Sequence, residues 1–205
     1  MKLFSGILLL MLVFVKSFSQ TAVSFAIQKS SFLTIHGTSN LLSFDLLLKG
    51  EHIPGNLFSL TTTRNQNRIN ISQNNLSIEV KNFTSGNKMA LRDFLKLIKS
   101  DIYPKMHVQL NSLELQPDNE KTEFSDIDVS ANSYGSITIA GVKRQYCIPL
   151  TWCRDGDTYY ADGNLRLSIR DFGLEPPVTL MGIIKVSEWI DIRFHLICKK
   201  AATIQ

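Results

Sequence analysis

The strongest constraint on this chain is an alternation of apolar and polar residues with a period of two. It is clearest near the end, where Ile190, Ile192, Phe194, Leu196 and Cys198 interleave with Asp191, Arg193, His195 and Lys199. The same pattern runs through Leu76, Ile78 and Val80, through Met106, Val108 and Leu110, and through Leu165, Leu167 and Ile169. In Tyr146, Ile148, Leu150 and Trp152 it sets a second apolar row against Cys147, Pro149, Thr151 and Cys153. A strand turns successive side chains to opposite faces, so each run has one dry and one wet face, as antiparallel sheets require. Further strands are read at 22–36, 41–49, 57–63 and 121–140. Short-turn chemistry separates the runs at Pro117-Asp118-Asn119 and at the Asp-Gly pairs 155–156 and 162–163.

One segment breaks the rule. Between Asn87 and Ser100 the apolar residues Leu91, Phe94, Leu95 and Ile98 fall at helical spacing. Ser85 or Asn87 supplies a cap, and Tyr103-Pro104 ends the segment. The fold class is therefore all-β, with about eight strands and one short helix over about 88–100. A single helix among many two-faced strands is a plug or lid more readily than a layer. That favours a sheet closed into a barrel, or two stacked sheets.

Residues 1–20 read as a secretory signal peptide. Lys2 gives a positive start, Ile7 to Val15 an apolar centre, and Ser17, Ser19 and Gln20 a small or polar cut region. The apolar run is short for a membrane span. The reading is of an exported protein, periplasmic or secreted and soluble after cleavage, with residues 21–205 as one domain. Removing Lys2 and Lys16 lowers the net charge from +4 to +2, a balance that argues against nucleic acid as a partner. Three cysteines, Cys147, Cys153 and Cys198, are too few for a disulfide-built scaffold. The first two share one predicted strand, about 20 Å apart if extended, and so do not pair with each other. A bridge to Cys198 and three thiols both remain open.

Catalytic motifs fail on inspection. Ser39, in Gly37-Thr38-Ser39-Asn40-Leu41, lacks the second glycine of a nucleophile elbow and reads as a turn or strand residue. Asp171-Phe172-Gly173 matches a kinase magnesium motif, but no phosphate loop or catalytic loop accompanies it. It reads as a strand end and glycine turn before Pro176-Pro177. His36, His52, His107 and His195 show no i, i+2 pair, so no metal site is assigned. Asp126 and Asp128 read as solvated strand residues. Lys88, Arg92, Lys96 and Lys99 line one stripe of the helix, which is either an ordinary wet face or a contact for an anionic headgroup or membrane surface.

Several segments together resemble the YceI-like family of exported lipid-binding proteins. Phe32 to Asn40 is similar to its early strand and Gly-Thr-Ser turn. Met89 to Ile98 followed by Tyr103 to Val108 is similar to its helix and next strand. Ser136 to Arg144 is similar to its glycine hairpin, and Asp171-Phe172-Gly173-Leu174 with the final strand completes the order. The chain departs from the family in having Leu42-Ser43-Phe44 where relatives often carry His-Asp-Trp, and Tyr146-Cys147 where aliphatic residues are usual.

The resemblance implies a lipocalin-like, extended antiparallel barrel holding a long isoprenoid or similar lipid, with no covalent chemistry and no cofactor beyond that bound lipid. It makes the apolar rows the candidate lining: Phe44, Leu76, Ile78, Met106, Val108 and Leu110 from the first half of the chain. From the second half come Ile148, Leu150, Trp152, Leu165, Leu167, Ile169, Ile190, Ile192 and Phe194. Lys88, Arg92 and Lys96 become candidate headgroup contacts. A lipid or isoprenoid is the expected partner, with peripheral membrane contact and a homodimer left open. Two other readings stand beside the carrier. One is a barrel filled with side chains that binds another envelope protein. The other is an enzyme, whose first suspects are His36, Ser39 and Asp171.

Overall fold

A computed structural model describes residues 21–53, 58–65, 67–72, 74–116, 129–179 and 183–200. The signal segment and the Pro117-Asp118-Asn119 turn lie outside the described residues. The strands are β1 (Thr21–Ile27), β2 (Phe32–Ser39), β3 (Ser43–Lys49), β4 (Phe58–Asn65), β5 (Arg68–Ser72) and β6 (Leu76–Glu79). They continue as β7 (Lys105–Leu115), β8 (Val129–Ile139), β9 (Val142–Asp155), β10 (Thr158–Ser168), β11 (Val178–Thr179) and β12 (Ile184–Lys200). One α-helix, α1 (Lys88–Leu97), interrupts them between β6 and β7.

All pairings are antiparallel, in the order β1-β4-β5-β7-β8-β9-β10-β12-β2-β3. β1 also pairs with β12 over Phe25–Ile27, so the sheet curls back on itself. The long β12 makes this possible: its outer edge carries β2 along Val186–His195 and β1 along Cys198–Lys200. β3 ends the path and meets Thr84 through a single bridge, so the ten-strand sheet is not closed end to end among the described residues. The wall is that of an extended, barrel-like β structure, and the class is all-β, as the alternation predicts.

Local differences have local causes. The segment read as one strand at 22–36 is two, because the chain turns at Gln28–Ser31. There Ser31 N donates to Gln28 O at 3.0 Å, and the buried Ser31 hydroxyl accepts from Ile197 N at 2.9 Å. β5 was hidden by its shortness. Asp155-Gly156 turns the chain as expected, with Gly156 at φ +57°. Asp162-Gly163 does not: it lies within β10, where Gly163 pairs with Leu150 on one side and Phe194 on the other. Its missing side chain makes room for the Phe194 ring rather than for a turn. β10 ends at Ser168, so Ile169 sits in a 3₁₀ turn (Ile169–Phe172) closed by Gly173 at φ +69°. Asp171-Phe172-Gly173 is thus a glycine-terminated turn that buries Phe172.

The helix is shorter than 88–100. Asn87 caps it, its side chain accepting from Met89 N and Ala90 N at 3.1 and 3.0 Å. Ser85 takes a different task, donating to Asp45 O and so fastening the helix start to β3. The inward rows of the strands form one core that includes Ile35, Leu46, Leu48, Ile78, Val80 and Phe83. A smaller cluster of Leu115, Val129 and Ala131, with Leu150 and Trp152 against it, fills the far end of β7–β9.

Candidate functional site

Inside the sheet the inward rows do not meet. They enclose a cavity of about 320 Å³ with an almost wholly apolar wall. One side is built by Leu33 and Ile35 of β2 and Phe44 and Leu46 of β3. Leu76 and Ile78 of β6 and Met106, Val108 and Leu110 of β7 form the next. β9 and β10 add Ile148, Leu150 and Leu165, and β12 adds Ile190, Ile192 and Phe194. Ile169 reaches the wall from the 3₁₀ turn. Strand periodicity is why these residues converge: every second residue of each strand faces the same space.

Two of the residues named as lining do not border it. Leu167, only 1 % exposed, is enclosed in packed core where β10 ends. Trp152 packs on the smaller cluster of Leu115, Val129 and Ala131, beyond the cavity. The wall also holds residues that the alternation did not single out. Met89, Ala90, Phe94 and Leu97 bring one face of α1 over the space, so the helix covers it. Its apolar spacing was the available signal, read for the helix but not for the wall.

The basic stripe points elsewhere. Lys88, Arg92 and Lys96 are exposed and none borders the cavity; Asp93, on the adjoining face, does. Helical geometry separates them, since 88, 92 and 96 lie on one flank while 90, 93, 94 and 97 lie on another. The placement therefore gives no support to these three as contacts for a headgroup held in the cavity.

Two glycine positions shape the wall. Gly37 of β2 lies beneath the Phe44 ring and Gly163 of β10 beneath the Phe194 ring, and a Cβ at either would fall 2.4 or 2.3 Å from the ring's Cζ. Each ring lies across a neighbouring strand because that strand has no side chain there.

The polar groups of the wall are mostly spent on the backbone. Asn74 accepts from Leu110 N at 2.6 Å and donates to Leu110 O at 2.7 Å, standing in for a strand partner. It does so beside the Leu110/Ser112 bulge of β7. The Ser39 hydroxyl accepts from Leu41 N and Leu42 N and donates to Leu42 O, as a turn residue should.

The residues of the catalytic reading hold separate structural contacts. His36 Nδ1 lies 2.7 Å from Asp45 Oδ1 across β2–β3, and His195 Nδ1 lies 2.7 Å from Asp162 Oδ1 across β12–β10. Asp171 accepts from the Tyr146 hydroxyl at 3.1 Å; burial and that carboxylate push the Tyr146 pKa up to about 12. Among the described residues no group of three or more His, Cys, Asp or Glu side chains is placed to hold a metal ion.

The three cysteines are not in disulfides. Cys153 pairs with Tyr160 and Cys198 with Tyr159, so consecutive residues of β10 set them on opposite faces of the sheet. Burial pushes the Cys198 thiol up to about 11.

Comparison with solved structures finds the same architecture. Burkholderia cenocepacia BcnA aligns with a TM-score of 0.56 at 18 % identity, over 83 % of this chain and 98 % of that one. A polyisoprenoid-binding domain from Saccharophagus degradans, implicated in plant cell wall breakdown, aligns with a TM-score of 0.60 at 11 % identity, over 87 % and 99 %. At such identities the likeness establishes the fold. No curated protein matches the sequence. The model of the YceI-like domain matches residues 19–198, nearly the whole chain, and the chain belongs to the YceI-like family.

Proposed function

We propose that this protein is an exported binder that holds a long apolar chain, a polyisoprenoid or another lipid, inside its β wall without chemistry on it. One observation carries the reading: the inward rows enclose an apolar cavity of about 320 Å³ instead of filling the interior. That is within the range of small-molecule sites, at its lower end. Binding would draw on the transfer of apolar surface from water, roughly 25 cal/mol per Å², less the cost of ordering a flexible chain. The fold shared with the polyisoprenoid-binding domain from Saccharophagus supports the ligand class, and the signal-like segment at 1–20 supports export.

The rim of the cavity supports loading from a membrane surface. Leu41 and Leu42 in the β2–β3 turn, Val178, Ile183, and Met89 at the helix start are all exposed large apolar residues. Asn40 ties two of these segments together, donating to Ile183 O and accepting from Lys185 N. Leu42 and Met89 also belong to the cavity wall, so the exposed rim is continuous with the interior. Lys88 and Lys185 are exposed and lie next to Met89 and Ile184 in the sequence, a charge suited to anionic headgroups.

The test is native mass spectrometry of protein purified from a bacterial envelope, followed by solvent extraction. A bound species that extracts as an isoprenoid or fatty chain is the expected result. A bare mass, with no uptake of added isoprenoid by the delipidated protein, overturns the carrier reading and leaves a barrel acting through its outer surface.

A further inference from the structure

The cavity wall carries a single charge. Among the described residues that border it, Asp93 of α1 is the only one with a charged side chain. It stands in the middle of the inward stripe of the helix, with Ala90 before it and Phe94 and Leu97 after it, all of which border the same space. Spacings of three and four residues keep these side chains on one face, so the carboxylate is turned toward the cavity with them. It is accessible there, since 24 % of the Asp93 side chain is exposed.

Nothing in the helix itself calls for an acid at this position. Asp93 lies past the first turn, where a carboxylate would stabilise the free N–H groups, and Asn87 already fills that role. Its ionic neighbour is Arg92, whose Nε lies 3.7 Å away. Adjacent residues of a helix point about 100° apart, so the pair is loose, and the Arg92 side chain is 75 % exposed to water. Lys88, Lys96 and Lys185 do not border the cavity, so no cation of the described wall answers the charge.

We propose that the cavity favours a chain that ends in a protonated amine, and that Asp93 is the residue that selects it. Beside an apolar wall the attraction between a carboxylate and an ammonium group is stronger than in open water. The ammonium also donates hydrogen bonds, which an ionised carboxylate can only accept. An alcohol at the same place donates without the Coulomb attraction. A chain that ends in a carboxylate or phosphate is repelled, and that refusal is the other half of the selection. The proposal rests on the carrier reading and adds to it the charge of the ligand's head and its place, against α1.

The test compares farnesylamine, farnesol and farnesyl phosphate at neutral pH as competitors for an uncharged fluorescent alkyl reporter in the delipidated protein. Wild type should bind the amine roughly tenfold more tightly than the alcohol, and the phosphate most weakly. Asp93→Asn, a near-isostere without the charge, should bring the amine and the alcohol level and narrow the gap to the phosphate. Arg92→Gln removes the competing cation and should widen the preference for the amine. Equal binding of amine and alcohol by wild type, a preference that survives Asp93→Asn, or one that Arg92→Gln abolishes overturns the assignment and leaves the carrier reading intact. Failure of wild type to bind any of the three probes or the reporter overturns the carrier reading and this inference with it.

Discussion

Gly163→Ala tests the wall of the cavity and the reason for a glycine inside a strand together. The added Cβ would lie 2.3 Å from Phe194 Cζ and 2.8 Å from Cε1. Carbon atoms sit comfortably at about 3.5–4.0 Å, so the ring must retreat by more than about 1 Å. The space next to it is the cavity that Phe194 lines, so the ring has somewhere to go. Overpacking a filled core costs about 1–3 kcal/mol. Here the adjacent space holds the cost near the lower end, and alanine returns about 0.4–1 kcal/mol by restricting the unfolded chain. The net loss in the ligand-free protein should be about 1 kcal/mol or less, a fall in Tm of roughly 2–4 °C for a domain of this size. The displaced ring, however, then occupies ligand volume, and affinity for a prenyl chain should fall roughly tenfold. Differential scanning fluorimetry and reporter displacement measure the two effects separately. Adding Phe194→Leu should restore binding, with a coupling above about 0.5 kcal/mol in the double-mutant cycle. A fall in Tm with unchanged affinity would refute the placement of Phe194 beside the ligand, and a rise in Tm would refute the close contact itself.

Three further outcomes follow from other parts of the molecule. Asn87→Ala removes the cap from two helix N–H groups and should cost about 1 kcal/mol in chemical denaturation, whereas Ser85→Ala should leave the helix cap intact. The pKa of Tyr146, about 12 in the folded chain, exceeds the ordinary tyrosine value of 10.0. The native state therefore holds this proton more tightly, and its contribution is full below pH 10 and lost as pH rises from there toward 12. Over that window wild type should lose stability more steeply than Tyr146→Phe, and parallel denaturation profiles would contradict the assignment. Cys147 is exposed while the Cys198 thiol is held at about 11 by burial, so iodoacetamide at mild alkaline pH should label Cys147 first. Peptide mapping reads the order, and early modification of Cys198 in the native protein would argue against its burial.

What could be read from the sequence was periodic. Alternation along β7, β9, β10 and β12 assigned strand, facing and fold class, because the side chains of an extended chain must alternate whatever lies around them. The helix was legible for the same reason at a different period, and Asn87 was legible as its cap. Most of the wall followed, since residues such as Ile78, Val108, Ile192 and Phe194 face inward by parity alone. Parity does not say how far the opposite row stands, however. Leu165 and Leu167 share a face of one strand, yet one borders the cavity and the other is enclosed in core.

Glycine was ambiguous in the same way. An Asp-Gly pair marks a turn at 155–156 and accommodates a ring at 162–163, and only the partner strand distinguishes them. The basic stripe of α1 was visible, but the rotation of the helix over the barrel was not, and that rotation turns Asp93 and Phe94 inward and leaves Arg92 outside. By itself the sequence determined which face of each strand would be dry, because that depends on neighbours along the chain. The tertiary structure decided whether those dry faces touch or leave a space, because that depends on distances between strands far apart in sequence.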